Sequence, residues 1–189
     1  MLNTFPSFLP VTGILVAIWL PIGVAIAARR YPGYCHRQQF LSELGASGSP
    51  TEHLSPIINN FPLALLFTGF AGALIQAPEF LAIGICVFTH GMATALAGLF
   101  PMDPTSNPGP TSAAHRVHIA AGAVMFLSLF IAQLLGVWQS QWGWVFQSFS
   151  LLSAVLSVHF SARIYSALKA NKNAGLFQRL GYGTQIVWL

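Results

Sequence analysis

Asp103, His115 and His118 form a group of ionisable residues in a chain that has few others. The two histidines are three residues apart, and a proline-rich stretch separates them from Asp103. On a helix, side chains three residues apart are neighbours, so both imidazoles can reach one metal ion. With an oxygen ligand from Asp103 or Glu43, such a site would suit Zn²⁺, which ionises bound water at about pH 7 for hydrolysis.

A second set of polar residues precedes the second apolar stretch of the chain. Ser42 and Glu43 lie in the loop before it, and Asn59 and Asn60 lie at its start. Ser42, Glu43 and Asp103 are the candidate catalytic residues, because such groups polarise a carbonyl or transfer a proton. The candidate binding residues are Asn59, Asn60, His90 and His115.

The same residues also fit a structural interpretation. Thr111 or Ser112 is a suitable N-cap for the helix that follows, and Asp103 can cap that helix or pair with Arg116. The polar groups would then form a hydrogen-bond network that joins two loops. Both interpretations stay open at this point.

His90 lies in the middle of an apolar stretch, where an ionisable side chain usually faces the bundle interior and marks a functional site. Its simplest role is a hydrogen bond to a carbonyl or a threonine on a neighbouring helix. The alternative is axial ligation of a b-type haem, with His159 or His118 on the opposite side. Zinc and haem are therefore the two cofactors that these residues suggest.

The composition predicts that the scaffold of these residues lies in a membrane. Of the 189 residues, 54% are hydrophobic and 6% are charged, whereas soluble domains carry about 25% charged residues. Stretches of about 20 apolar residues can cross a bilayer as helices. We predict an all-α polytopic transmembrane bundle that forms one domain over residues 1–189. Its six helices are predicted near residues 9–28, 57–77, 80–100, 117–137, 142–165 and 176–189.

The distribution of basic residues predicts the orientation. All eight Lys and Arg residues fall in the first, third and fifth loops or at the helix ends beside them. Under the positive-inside rule these loops face the cytoplasm and the N-terminus lies outside. We therefore expect a multi-pass protein of the cell inner membrane, in contact with membrane lipid. The basic residues are spread over three loops without forming a patch, so nucleic acid is not an expected partner.

Short motifs relate the chain to a known family. They are SELGA at residues 42–46, the pair Asn59 and Asn60, FPMDP at residues 100–104, the downstream His118, and GLFQRLGY at residues 175–182. In these motifs the chain resembles, over nearly its whole length, domain-of-unknown-function family 998, small polytopic membrane proteins of bacteria and archaea. The resemblance implies a bundle of about six helices and no defined activity. The family pattern that the chain resembles has glutamate at the position of Gln178, and its histidine matches His118, so His115 is an additional residue.

A weaker resemblance exists to alkaline ceramidase and related membrane hydrolases, in which Ser, Asp and three His surround zinc near one membrane face. It implies His118, His159 and Asp103 as zinc ligands beside Ser42, although the HxxxH pair of those enzymes is absent. Three functions thus remain open. The polar cluster at the cytoplasmic mouth binds a lipid head group or small amphiphile, or it hydrolyses an amphiphilic ester or amide with a metal, or the chain holds a bis-His haem.

Overall fold

The computed structural model describes residues 11–104 and 110–189, and over these residues the chain is a bundle of six long helices. The predicted all-α class is confirmed, and five of the helices are long and apolar enough to cross a membrane. The helices are α1 (Val11–Arg29), α2 (Phe61–Ile75), α3 (Leu81–Leu99), α4 (Ala113–Val137), α5 (Gly143–Lys169) and α6 (Ala174–Trp188). Short helical turns at Leu41–Gly45, Pro56–Asn60, Pro78–Phe80 and Ser140–Trp142 connect them.

Two helices are longer than their apolar stretches indicate. α4 begins at Ala113, four residues before the predicted start, because the Ser112 hydroxyl caps it by accepting the His115 backbone N–H at 3.0 Å. α5 continues to Lys169, since polar residues at a membrane surface can extend a helix beyond its apolar part. Hydropathy alone therefore does not determine these two helix ends.

The second predicted helix has an irregular start. Pro56–Asn60 forms a single π-helical turn before α2 begins at Phe61. α1 packs against this turn, and the Trp19 indole N–H donates to the Ile58 carbonyl at 2.7 Å. Such π-turns are frequent at functional sites, because they redirect side chains that a regular helix would place elsewhere.

The helices contact one another closely at glycines. A Cβ on Gly84 would lie 2.8 Å from the Ile75 backbone nitrogen, and one on Gly91 would lie 2.9 Å from Thr68 Cγ2. These positions hold α2 and α3 together in the way small residues do in membrane bundles. The fully buried Phe67 lies at the centre of the core that the helices enclose.

One end of the bundle carries the basic residues. It is formed by the C-terminal ends of α1, α3 and α5 and the N-terminal ends of α2, α4 and α6, and we call it the basic face. Here the first loop (residues 30–55) docks on the start of α6. The Arg179 guanidinium donates to the carbonyls of His36 at 2.6 Å and Gln39 at 2.8 Å, and to the Tyr34 hydroxyl at 2.5 Å.

At the opposite end, α4, α5 and α6 are in close contact. The Trp188 indole donates to the Ser150 hydroxyl at 2.9 Å, and a Cβ on Gly136 would lie 2.7 Å from the same hydroxyl. The packing is less complete toward the basic face, where the helices surround a cavity.

Candidate binding cavity

A cavity of about 440 Å³ lies in the half of the bundle nearest the basic face. All six helices contribute to its wall, together with the turns Leu41–Gly45 and Pro56–Asn60. Its apolar wall includes Leu20, Val24, Leu41, Leu63, Ile119, Met125, Phe126 and Ile164. Its polar wall consists of Ser42, Ser55, Asn59, Asn60, Thr94, His118, Ser161, Gln178, Tyr182 and Gln185. The volume lies within the range of about 300–1,000 Å³ that is usual for small-molecule pockets.

Four of the predicted site residues meet at this cavity. Ser42 reaches it from the first loop, Asn59 and Asn60 from the π-turn, and His118 from α4. Asn60 also joins two helices, because its side-chain amide donates to the Thr94 carbonyl at 3.2 Å. The sequence motifs at residues 42–46, 59–60 and 118 thus converge on one place.

The hydrogen bonds of His118 indicate which of its two ring nitrogens carries the proton. Its Nδ1 lies 2.8 Å from the Phe100 carbonyl and 3.1 Å from the Ala97 carbonyl, at the C-terminal end of α3. Carbonyl oxygens only accept hydrogen bonds, so Nδ1 carries the proton. In the neutral ring Nε2 is then a hydrogen-bond acceptor. The bonds to the carbonyls at the end of α3 involve Nδ1 and leave Nε2 available.

Asn59 brings an unsatisfied acceptor to the same wall. Its side chain is 7% exposed, its amide group donates to the Ser55 hydroxyl at 3.4 Å, and its Oδ1 has no hydrogen-bond partner. Gly23 of α1 lies against this oxygen, and a Cβ there would collide with it. A buried polar atom left without a partner is costly in a membrane interior, and such atoms are often satisfied by a ligand or water.

Among the described residues, the cavity wall has no permanently charged side chain. None of the residues that line it within the described part of the chain is Asp, Glu, Lys or Arg. An ion placed there would be removed from water without an opposite charge to compensate, at a cost of several kcal/mol by order of magnitude. The wall therefore favours an uncharged guest.

Asp103, which follows α3, is joined to His115 in the first turn of α4, and neither residue lines the cavity. The Ser112 backbone N–H donates to Asp103 Oδ2 at 2.8 Å, and the Asp103 N–H donates to His115 Nδ1 at 2.8 Å. These bonds tie the end of α3 to the start of α4. The hydrogen bonds from Ser112 hold the pKa of the Asp103 carboxyl below its ordinary value, and the charge of Arg116 acts in the same direction.

This arrangement predicts acid sensitivity at the α3–α4 connection. A carboxylate whose pKa is lowered by folding contributes stability above its unfolded pKa, near 3.8, and that stability is lost as the pH falls through this range. Thermal unfolding of the detergent-solubilised protein, followed between pH 7 and pH 3, measures the loss. Asp103→Asn is the control: it should be less stable than the wild type at pH 7 and lose less on acidification. Equal acid sensitivity in the two proteins would contradict the assignment.

Glu43 and His159 lie apart from His118. Glu43 is 8% exposed, accepts the Phe40 N–H at 2.8 Å and lines a separate depression of about 250 Å³ beside Pro104. His159 is exposed on α5, and its ring lies 5.4 Å from the Phe160 ring, centre to centre. Within residues 11–104 and 110–189, no three His, Cys, Asp or Glu side chains are grouped so that they could hold a metal ion. The predicted zinc ligands and catalytic roles thus gain no support from the geometry.

His90 is fully buried between three helices. Its Nδ1 donates to the Met125 carbonyl of α4 at 2.9 Å, and its Nε2 accepts from the Tyr182 hydroxyl of α6 at 3.1 Å. The Phe67 ring packs 4.3 Å away, centre to centre. This is the interhelical hydrogen-bonding role that the sequence suggested, and a haem iron at Nε2 would have to displace Tyr182.

A family model described as "Protein of unknown function (DUF998)" matches residues 14–189. The chain belongs to this family. The DUF998 match contains every residue that lines the cavity, so the cavity is a feature of the family region itself. Comparisons with curated proteins and with solved structures give no match.

Three cavity residues on α6 are not among the predicted site residues, although the first two lie in the GLFQRLGY motif. Gln178, Tyr182 and Gln185 are spaced by four and three residues, which places them on one helix face. This polar stripe in an otherwise apolar segment was the signal that could have found them. Gln178 stands where the DUF998 resemblance expects glutamate, and its amide oxygen accepts the Leu41 N–H at 2.7 Å, a bond that either side chain can make.

Proposed function

We propose that this DUF998 protein binds a small amphiphile, a molecule with one apolar chain and one compact head group, in the cavity between its helices. The observation that carries the proposal is the cavity of about 440 Å³, whose wall combines apolar and polar side chains. The proposal includes the inner membrane as location, with the basic face in the cytoplasm, as the positive-inside rule supports. It includes no chemical step.

The position of the cavity supports access from the lipid phase. Among the residues that line it, Ile119 is 57% exposed and Gly122 is exposed, and both lie on α4. Ser161 and Ile164 of the neighbouring α5 also line the cavity. An amphiphile dissolved in the bilayer would thus reach the cavity between the basic-face halves of α4 and α5, without passing through water. An apolar chain partitions into the bilayer and not into water, so entry directly from the bilayer suits an amphiphile.

Gly122 offers a direct test, because a Cβ there would meet nothing within 4 Å. We expect the ring of a phenylalanine at this position to obstruct the cavity opening. The probes are four single-chain compounds of equal length, namely dodecanol, dodecyl methyl ether, dodecanoate and dodecylammonium. Native mass spectrometry of the detergent-solubilised protein measures their occupancy. We expect one bound molecule on the wild type and at least tenfold weaker binding of every bound probe to Gly122→Phe.

The matched control is Gly72→Phe. Gly72 lies on α2, does not line the cavity, and a Cβ there also meets nothing within 4 Å. This variant adds the same side chain to the bundle and should bind like the wild type. Probe binding that is equally strong in Gly122→Phe, or absent from the wild type, would disprove the proposed function.

A further inference from the structure

We infer that the cavity selects an uncharged head group that carries a hydroxyl, and that this hydroxyl donates a hydrogen bond to Nε2 of His118. The inference rests on the proposed function and deepens it, because it names the class of head group and the atom that recognises it. It follows from the tautomer of His118, the chemistry of the wall and the absence of charge there among the described residues.

The tautomer fixes His118 as an acceptor toward the cavity. Two carbonyls at the end of α3, those of Ala97 and Phe100, hold the proton on Nδ1. Such carbonyls lack helical partners, so the bonds to them are strongly favoured and orient the ring. Nε2 is then the remaining polar atom of a ring that lines the cavity. A guest that satisfies it must bring a hydrogen-bond donor.

The other residues of the cavity wall indicate which kind of hydrogen-bond donor the guest carries. Asn59 Oδ1 is a buried acceptor without a partner. Ser42, Ser161 and the Gln178 amide are lining groups that can also donate. A hydroxyl is a small uncharged group that can donate a hydrogen bond to an acceptor such as Asn59 Oδ1 and accept one from a donor such as Ser42. An ammonium would find no carboxylate in the described wall, and a carboxylate would find no lysine or arginine.

The other cavity side chains are largely committed to holding helices together. Tyr182 donates to His90, Gln185 donates to the Phe126 carbonyl at 3.1 Å, and Gln178 accepts from Leu41. Each of these bonds crosses between elements of the bundle. His118 differs because its structural bond uses only one ring nitrogen and leaves the other for a guest.

The test compares two probes that differ in whether the head-group oxygen carries a hydrogen or a methyl group. Dodecanol can donate to Nε2, whereas dodecyl methyl ether has a similar chain and an oxygen that only accepts. We expect the wild type to bind dodecanol about tenfold more tightly than the ether, the value of one uncharged hydrogen bond in a low-dielectric site. Dodecanoate and dodecylammonium should each bind more weakly than dodecanol.

His118→Asn separates recognition from folding. Its side-chain amide can still donate to the α3 carbonyls from near the position of Nδ1, but it has no atom at the position of Nε2. We expect this variant to stay folded and to bind dodecanol and the ether equally. If the variant does not fold, the preference of the wild type for dodecanol still decides the matter.

The outcomes distinguish the two proposals. Binding that is sensitive to Gly122→Phe but shows no preference for dodecanol over the ether, or keeps that preference in His118→Asn, overturns the head-group assignment and leaves the proposed function intact. Tighter binding of dodecanoate or dodecylammonium than of dodecanol also overturns it. Absence of any binding sensitive to Gly122→Phe overturns both.

Discussion

Replacing Gly175 by alanine is expected to release the first loop from α6 and to destabilise the protein by about 3 kcal/mol, at the upper end for overpacking by a single methyl group. A Cβ at Gly175 would collide with the carbonyl oxygen of Gln39. The obstacle is backbone, which cannot rotate away as a side chain can. The loop must therefore move as a unit, and several bonds depend on its position.

The loop is bound to α6 through main-chain groups on both sides of Gly175. The Gly175 N–H donates to the Gln38 carbonyl at 3.2 Å, and the Leu176 N–H donates to the Arg37 carbonyl at 3.0 Å. These are helix N-terminal N–H groups that have no partner within the helix. Displacing the loop would leave them unpaired and would also disturb the Arg179 bonds to the loop carbonyls.

Gly183→Ala is the matched control, since it makes the same change on the same helix. A Cβ at Gly183 meets nothing within 4 Å, so alanine should be neutral or stabilise α6 by up to about 1 kcal/mol through its higher helix propensity. Unfolding of both variants in mixed detergent and denaturant micelles measures the difference. Limited proteolysis within residues 30–55 reports on the loop itself. Similar stabilities of the two variants would show that the loop is not held in the way the structure indicates.

The sequence predicts the bundle well because hydropathy acts over whole helices. A membrane span needs about 20 apolar residues, and this requirement is visible in the composition of each stretch. The ends of helices depend on single capping groups, such as Ser112, and were therefore less well predicted. The close contact at Gly175 was not predictable, because nothing local to α6 indicates that the first loop passes over it.

The candidate site, like the fold, was predictable from the sequence only in part. Ser42 and Glu43 are adjacent in sequence, yet one lines the cavity and the other a separate depression. In a 3₁₀ turn successive side chains are separated by about 120°, so neighbours face different sides. His159 lies on an exposed face of α5, because the position of a residue along a helix does not determine which side of the helix it faces. His118 was identified by its motif, whereas its free nitrogen depends on carbonyls of another helix.

His90→Ala is expected to lower the stability of the bundle by about 3 kcal/mol, within the range of about 2–5 kcal/mol for truncation of a large buried side chain. The substitution leaves an empty space beside Phe67 and removes the links from α3 to both α4 and α6. Hydrogen bonds between membrane helices average only about 0.6 kcal/mol. Most of the loss should therefore come from packing, with the Met125 and Tyr182 bonds adding the remainder.

Tyr182→Phe separates these contributions, because it removes the hydroxyl that donates to His90 Nε2 and keeps the ring 5.8 Å from the imidazole. We expect it to cost about 1 kcal/mol, and we expect the double variant to lose less than the sum of the two single losses, since the shared bond can be lost only once. The same unfolding assay provides all three values. If the losses add, or if Tyr182→Phe costs as much as His90→Ala, the two side chains are not coupled as the structure describes. If the losses are coupled, the bond between His90 and Tyr182 fixes α6 against α3. The same bond then fixes the position of Tyr182 in the cavity wall.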